Sequence, residues 1–190
     1  MADDRSPGPR FSRTDLLAPL ADVFETMGYD GATLARLAAA TGLSKASLYH
    51  HFPGGKAEMA AALLRAAVAE LEGAAFSRLT STRKAPERLA AFIEGFDHYA
   101  QHGERSCLLS VFAAGSAGAE HGAGIADQFA DWSHRLAATF EEAGYKPKRA
   151  ERAAADLLAG LYGALQLARL RQDPDVFRRQ VKRLRKRLPR

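Results

Sequence analysis

Apolar residues recur three and four positions apart along most of the chain. No stretch alternates apolar with polar residues as a half-buried strand would. Leu16, Leu20, Phe24 and Met27 form one such stripe and predict a first helix over 13–28, capped by Ser12, with Asp15 favoured in its first turn and Gly28 ending it. Pro19 falls inside this span and predicts a kink there or a later start to the helix. Two short helices follow, 34–40 capped by Thr33 and 45–51 capped by Ser44, before Pro53, Gly54 and Gly55 break the chain. Longer helices are predicted at 56–79, 86–102, 107–117, 124–143, 147–171 and 174–188. Pro86 and Pro147 fall in first turns, where proline is tolerated, while Gly103, Gly144 and the glycines from Gly115 to Gly124 mark breaks. The fold class is all-α. A three-helix unit over residues 1–55 precedes a larger helical bundle over 56–190, and residues 1–11 read as a polar arm.

Composition narrows the function classes. A chain of 190 residues, 47% hydrophobic and 26% charged, can bury a sizeable core as one domain or two small ones. No apolar run reaches the roughly 18 residues of a membrane span, and the N-terminus lacks the apolar stretch of a secretory signal. A single cysteine, Cys107, precludes an internal disulfide and points to the reducing cytoplasm. The net charge of +5 is unevenly placed: residues 169–190 carry ten Lys or Arg against Asp173 and Asp175, and the rest of the chain is slightly acidic. The basic balance therefore says nothing by itself about nucleic acid, and a motif must carry that argument.

The motif lies between Thr33 and Lys56, TLARLAAATGLSKASLYHHFPGGK. Gly42 suits the positive-φ residue of a tight turn between two crossing helices, and Ala38 leaves room for them to approach. A second helix so short, with Lys45, Ala46, Ser47, Tyr49 and His50 outward and Leu48 and Phe52 inward, has the dimensions to lie in a major groove about 12 Å wide. His50 and His51 have no carboxylate or cysteine at ligand spacing, so no metal site is expected.

These residues carry a resemblance. Residues 11–60 resemble the DNA-binding domain of TetR-type transcriptional repressors: Met27-Gly28-Tyr29, Thr33, Ala38, Thr41-Gly42-Leu43-Ser44, Ser47-Leu48-Tyr49-His50-His51-Phe52 and Lys56 occur in order. The extra turn residue in Pro53-Gly54-Gly55 is similar to the branch around lincomycin and multidrug-efflux repressors. The resemblance implies that Lys45, Ser47 and His50 reach base edges or nearby phosphates. It implies that Thr33, Tyr49 and Lys56 hold phosphates, and Ser44 belongs to the same DNA-facing set. It also implies double-stranded operator DNA, a small-molecule effector and a second copy of the chain as partners.

Aromatic residues gather in the second half. Core packing is the ordinary reading of any one of them; the functional reading makes Phe96, Tyr99, Phe112, Phe129 and Trp132 the walls of an apolar ligand pocket, with His98, Gln128, His134 and Gln166 as polar contacts. Small residues on helix 147–171 (Ala159, Gly160, Gly163, Ala164), helped by Phe177 and Val181 of the last helix, suit a dimer seam. The resulting expectation is a homodimeric, ligand-released repressor on a near-palindromic operator, with no catalytic residue and no cofactor. Two alternatives stay open. A carboxylate-bridged bundle enzyme would need a second carboxylate–histidine pair beside Asp131 and His134. A binder of anionic surfaces would use the basic face of helix 174–188.

Overall fold

The chain begins its first helix where Ser12 and Asp15 cap each other: the Ser12 hydroxyl accepts from the Asp15 backbone N–H at 3.2 Å, and the Asp15 carboxylate accepts from the Ser12 N–H at 2.8 Å. The structure, a computed structural model, describes residues 11–113 and 115–189; the polar arm expected over 1–11 lies, apart from Phe11, outside them. Regular structure among the described residues is helical throughout. The helices are α1 (Arg13–Gly31), α2 (Leu34–Thr41), α3 (Lys45–His51), α4 (Gly55–Ala74), α5 (Ala85–Tyr99), α6 (Leu108–Phe112), α7 (Gly115–Glu142), α8 (Pro147–Arg171) and α9 (Asp175–Arg187). Single 3₁₀ turns at Phe76–Thr80 and Gln101–Gly103 join α4 to α5 and follow α5.

The first three helices share a core of Leu16, Leu20 and Phe24 from α1, Leu37 from α2, and Leu48 and Phe52 at α3, all buried. Burial of each such side chain is worth about 1.5–3 kcal/mol, enough to hold two helices too short to persist alone. In the larger bundle α7 packs on α8, α8 on α9, and α5 runs among α4, α7 and α9 with Phe92, Ile93 and Phe96 fully buried. Helix α1 also packs on α6 and α7, so the two parts of the chain share an extended junction.

Three expectations are corrected. Pro19 does not kink α1; the one non-helical residue inside that helix is Gly28, at φ 68°. The proline stands half-exposed in the second turn, so the carbonyl that loses its partner can turn to water. The glycines from Gly115 to Gly124 do not break the chain, because Ala117 and Ile125 are buried on the inner face of α7 and packing outweighs the helix cost of about 1 kcal/mol per glycine. Helix α4 ends at Ala74, not 79, where α5 crosses it so closely that a Cβ on Gly95 would stand 1.9 Å from the Ala74 carbonyl oxygen.

Candidate functional site

Helix α2 ends at Gly42, which is left-handed at φ 69°, and the Leu43 N–H closes back on the Ala38 carbonyl at 3.2 Å. Thr41, buried at the end of α2, turns its hydroxyl onto the Leu37 carbonyl at 2.9 Å, so that this hydroxyl is paired. Ser44 then caps α3, accepting from the Ser47 N–H at 3.0 Å, and the two serine hydroxyls pair at 2.9 Å. With Leu48 and Phe52 buried, α3 presents Lys45, Tyr49 and His50 to solvent, with Ser47 half-exposed. Tyr49 is 46% exposed and lies against Gly55, where a Cβ would stand 3.3 Å from its ring. Thr33 caps α2 through the Arg36 N–H at 3.4 Å. Of the seven predicted DNA-facing residues, Thr33, Ser44, Lys45, Tyr49 and His50 are exposed and Ser47 is half-exposed.

Lys56 stands apart. Its ammonium donates to the Tyr29 carbonyl at 3.1 Å and lies 4.4 Å from the centre of the Tyr29 ring. Tyr29 is buried where α1 meets α4, α6 and α7, stacked on Phe24 and edge-on to Phe112 and His121. Beside it Asp30 accepts from both the hydroxyl and the backbone N–H of Ser116, in the first turn of α7, and these bonds hold its carboxyl below the usual range. The first turn of α4 and the first two turns of α7 are therefore tied to the same corner of α1.

On the other side of that corner lies a cleft of about 540 Å³ between α4 and α7. Leu64 and Val68 of α4, Leu109 of α6 and Ile125 of α7 line it, with Arg65, Glu72, His121 and Gln128 as its polar groups. Among the five aromatic walls expected, Phe96, Tyr99, Phe112 and Trp132 are packed core, and Phe129 lies half-buried against Trp132 and Tyr162. The correction has a simple cause: large rings in a bundle of small residues fill the space between helices, and the cleft opens where side chains are short. Trp132 stands behind the wall, its indole donating to Glu72 at 3.1 Å. Gln128 lines the cleft, but His98 and His134 face solvent and Gln166 sits half-buried on α8. Burial pushes the Cys107 thiol above its usual range, so this cysteine is packing rather than a nucleophile.

The six residues expected at a dimer seam divide. Ala159 and Gly163 lie on an exposed row of α8 that continues through Leu167 and Leu170, 52% and 79% exposed, which the sequence reading missed. The other four turn inward. Gly160 opposes Gln180 and Leu184 of α9, Ala164 is buried, and Phe177 and Val181 are core of the single chain. Phe177 fills the space over Gly103, where a Cβ would stand 2.8 Å from its own. The missed leucines follow Gly163 at the i+4 and i+7 positions, the periodicity that could have found them.

Comparison with known proteins adds to this geometry. A family model described as bacterial regulatory proteins of the tetR family matches residues 16–63. A second, described as the C-terminal domain of LmrA/YxaF-like transcriptional regulators, matches residues 85–183. A segment of 49 residues is 41% identical to the HTH-type transcriptional regulator LmrA of Bacillus subtilis strain 168; it spans 26% of this chain and 26% of that relative. Among solved structures, a TetR transcriptional regulator from Legionella pneumophila superposes with a TM-score of 0.77 at 18% identity, covering 95% of this chain and 99% of its own. AibR, in complex with isovaleryl coenzyme A and operator DNA, superposes with a TM-score of 0.62 at 19% identity, covering 80% and 85%. At these identities the solved structures show a shared fold.

Proposed function

Because the chain belongs to the TetR family of bacterial transcriptional regulators, with an LmrA/YxaF-like C-terminal domain, we propose that it binds a near-palindromic operator as a homodimer and releases it when a small molecule enters the α4–α7 cleft. The observation that carries this reading is the face of α3: a capped helix of seven residues set by the Gly42 turn, with Lys45, Tyr49 and His50 exposed together and Ser47 beside them. Lys45 and His50 read base edges; Tyr49, Thr33 and Ser44 position the backbone; Lys56 serves mainly to fix α4 against α1. Residues 1–55 are the DNA-binding part and 56–190 the effector and dimer part, with α4 shared between them. AibR, similar in fold and solved in complex with isovaleryl coenzyme A and operator DNA, supports a reading in which a small molecule and DNA are both ligands.

Two copies are needed because one short helix reads too few base pairs for genomic specificity. The exposed row Ala159, Gly163, Leu167 and Leu170 of α8 supports the seam. Release follows from the shared corner. A ligand wedged between α4 and α7 displaces His121, which touches Tyr29, and Tyr29 holds Lys56 in the first turn of α4, the helix that follows the recognition helix. A differential affinity of about 1–3 kcal/mol between the two states suffices for a 5- to 150-fold loss of operator affinity.

The Lys45→Ala variant tests the reading. On a duplex selected by the wild-type protein it should cost about 1–3 kcal/mol and relax one base position, with little change on random DNA. Equal losses on both would remove Lys45 from base readout.

A further inference from the structure

The charge balance of the cleft points to one ligand class. Glu72, the one carboxylate among the described lining residues, is already neutralised: both guanidinium nitrogens of Arg135 donate to it, at 2.9 and 2.7 Å, and the Trp132 indole adds a third bond at 3.1 Å. Its carboxyl is held below the usual range by these partners, so it stays ionised and occupied. Arg65, at the exposed rim, is in the opposite position. Among the described residues no hydrogen bond or ion pair holds its guanidinium. The acid within its field, Glu58, is bound by Arg13 at 2.7 Å and by the Gly54 N–H at 2.8 Å. Between rim and floor the walls are aliphatic at Leu64, Val68, Leu109 and Ile125, with His121 and Gln128 as the remaining polar groups.

We propose that this cleft takes a small amphipathic anion, its negative group on Arg65 and its apolar body between α4 and α7. A cation entering the same space would meet the Arg65 guanidinium and, among the described lining residues, no carboxylate without a partner. A neutral apolar molecule would bury its surface but leave the Arg65 charge unused. The cleft volume of about 540 Å³ suits a molecule of drug-like size, and the aliphatic walls accept chains or rings alike. The inference rests on the reading of this cleft as the effector site and adds the charge of what enters it.

The experiment measures binding of three probes of equal chain length by calorimetry, each below its micelle concentration: octanoate, methyl octanoate and octyltrimethylammonium. Each is titrated into the wild-type protein and the Arg65→Gln, Arg65→Glu and Ile125→Trp variants. Octanoate should bind the wild type about fivefold more tightly than its methyl ester, a modest factor because Arg65 is exposed. Arg65→Gln should bind the two equally, and Arg65→Glu should prefer the ammonium probe. Ile125→Trp, which fills the slot, should weaken all three while circular dichroism shows the fold kept. Equal binding of octanoate and ester to the wild type, or a preference for octanoate that survives Arg65→Gln, overturns the charge assignment and leaves the cleft reading standing. Absence of binding by any probe, or binding unaffected by Ile125→Trp, overturns both.

Discussion

Substituting Lys56 separates two roles that one lysine at this position could play. Its ammonium donates to the Tyr29 carbonyl at 3.1 Å and lies 4.4 Å from the Tyr29 ring centre. Methionine keeps the unbranched stem and its packing but removes the donor and the charge. A hydrogen bond from a charged donor contributes about 1.5–3 kcal/mol and an exposed cation–π contact about 0.5–1 kcal/mol. Lys56 is half-buried, so solvent screening brings the loss to about 1–2 kcal/mol. For a chain of this length that lowers the thermal midpoint by about 2–8 °C. The lost contact also joins the cleft to the recognition helix, so ligand-driven release should weaken by about 5- to 30-fold. The assays are thermal unfolding and operator binding by fluorescence anisotropy over a salt series. A lysine that instead held a phosphate would leave the melting curve in place, weaken all DNA alike and lower the salt slope by about 0.9 per subunit. That pattern would refute the account of the α1–α4 corner.

Three further outcomes follow from local geometry. Gly163 faces open space on α8, so Gly163→Leu should keep or slightly raise protomer stability, by up to about 1 kcal/mol, while light scattering shows a monomer; a persistent dimer places the seam elsewhere. Gly95→Ala should cost more than about 3 kcal/mol in urea unfolding, since its Cβ would overlap the Ala74 carbonyl, whereas Gly122→Ala, with nothing near it, should stabilise by about 1 kcal/mol; similar effects from the two would contradict the α4–α5 crossing. Glu25 is held above the usual carboxylate range, chiefly by burial, so the folded state binds its proton more tightly than the unfolded chain. Its contribution is complete below its ordinary value of 4.5 and is lost as pH rises through the raised value. Glu25→Gln should therefore be more stable than wild type at pH 7, with the advantage shrinking toward pH 4; an advantage that grows on acidification would reverse the sign.

The DNA-facing unit was legible because its signals are local. Caps at Ser12, Thr33 and Ser44 and the left-handed Gly42 are properties of a few adjacent residues, and the structure forms each of them. The bundle was less legible because its arrangement depends on contacts far apart in sequence. Gly115 to Gly124 looked like a break, yet the buried Ala117 and Ile125 keep that segment helical. Phe96 and Trp132 looked like pocket walls, yet a large ring in an alanine-rich bundle is more useful as core, and the cleft formed beside shorter side chains. Phe177 looked available to a partner because periodicity gives a face, not what covers it; the Gly103 turn of the same chain covers it. The Tyr29–Lys56 contact spans 27 positions and has no local signal.

The central claim is that the exposed face of α3, in two symmetric copies, reads DNA. Selection of bound duplexes from a random pool by the purified protein, repeated with the Lys45→Ala variant and with a chain truncated at residue 172, tests it directly. The account predicts enrichment of a near-palindrome with half-sites one helical turn apart, about 34–36 Å, or a multiple of it. It also predicts preference at one symmetric position relaxed by Lys45→Ala. Loss of α9 core residues such as Phe177 could unfold the truncated chain, so its fold is checked by circular dichroism before its binding is read. Binding without sequence enrichment, unchanged by Lys45→Ala and abolished in a folded truncated chain, would contradict the account and assign the activity to the basic face of α9.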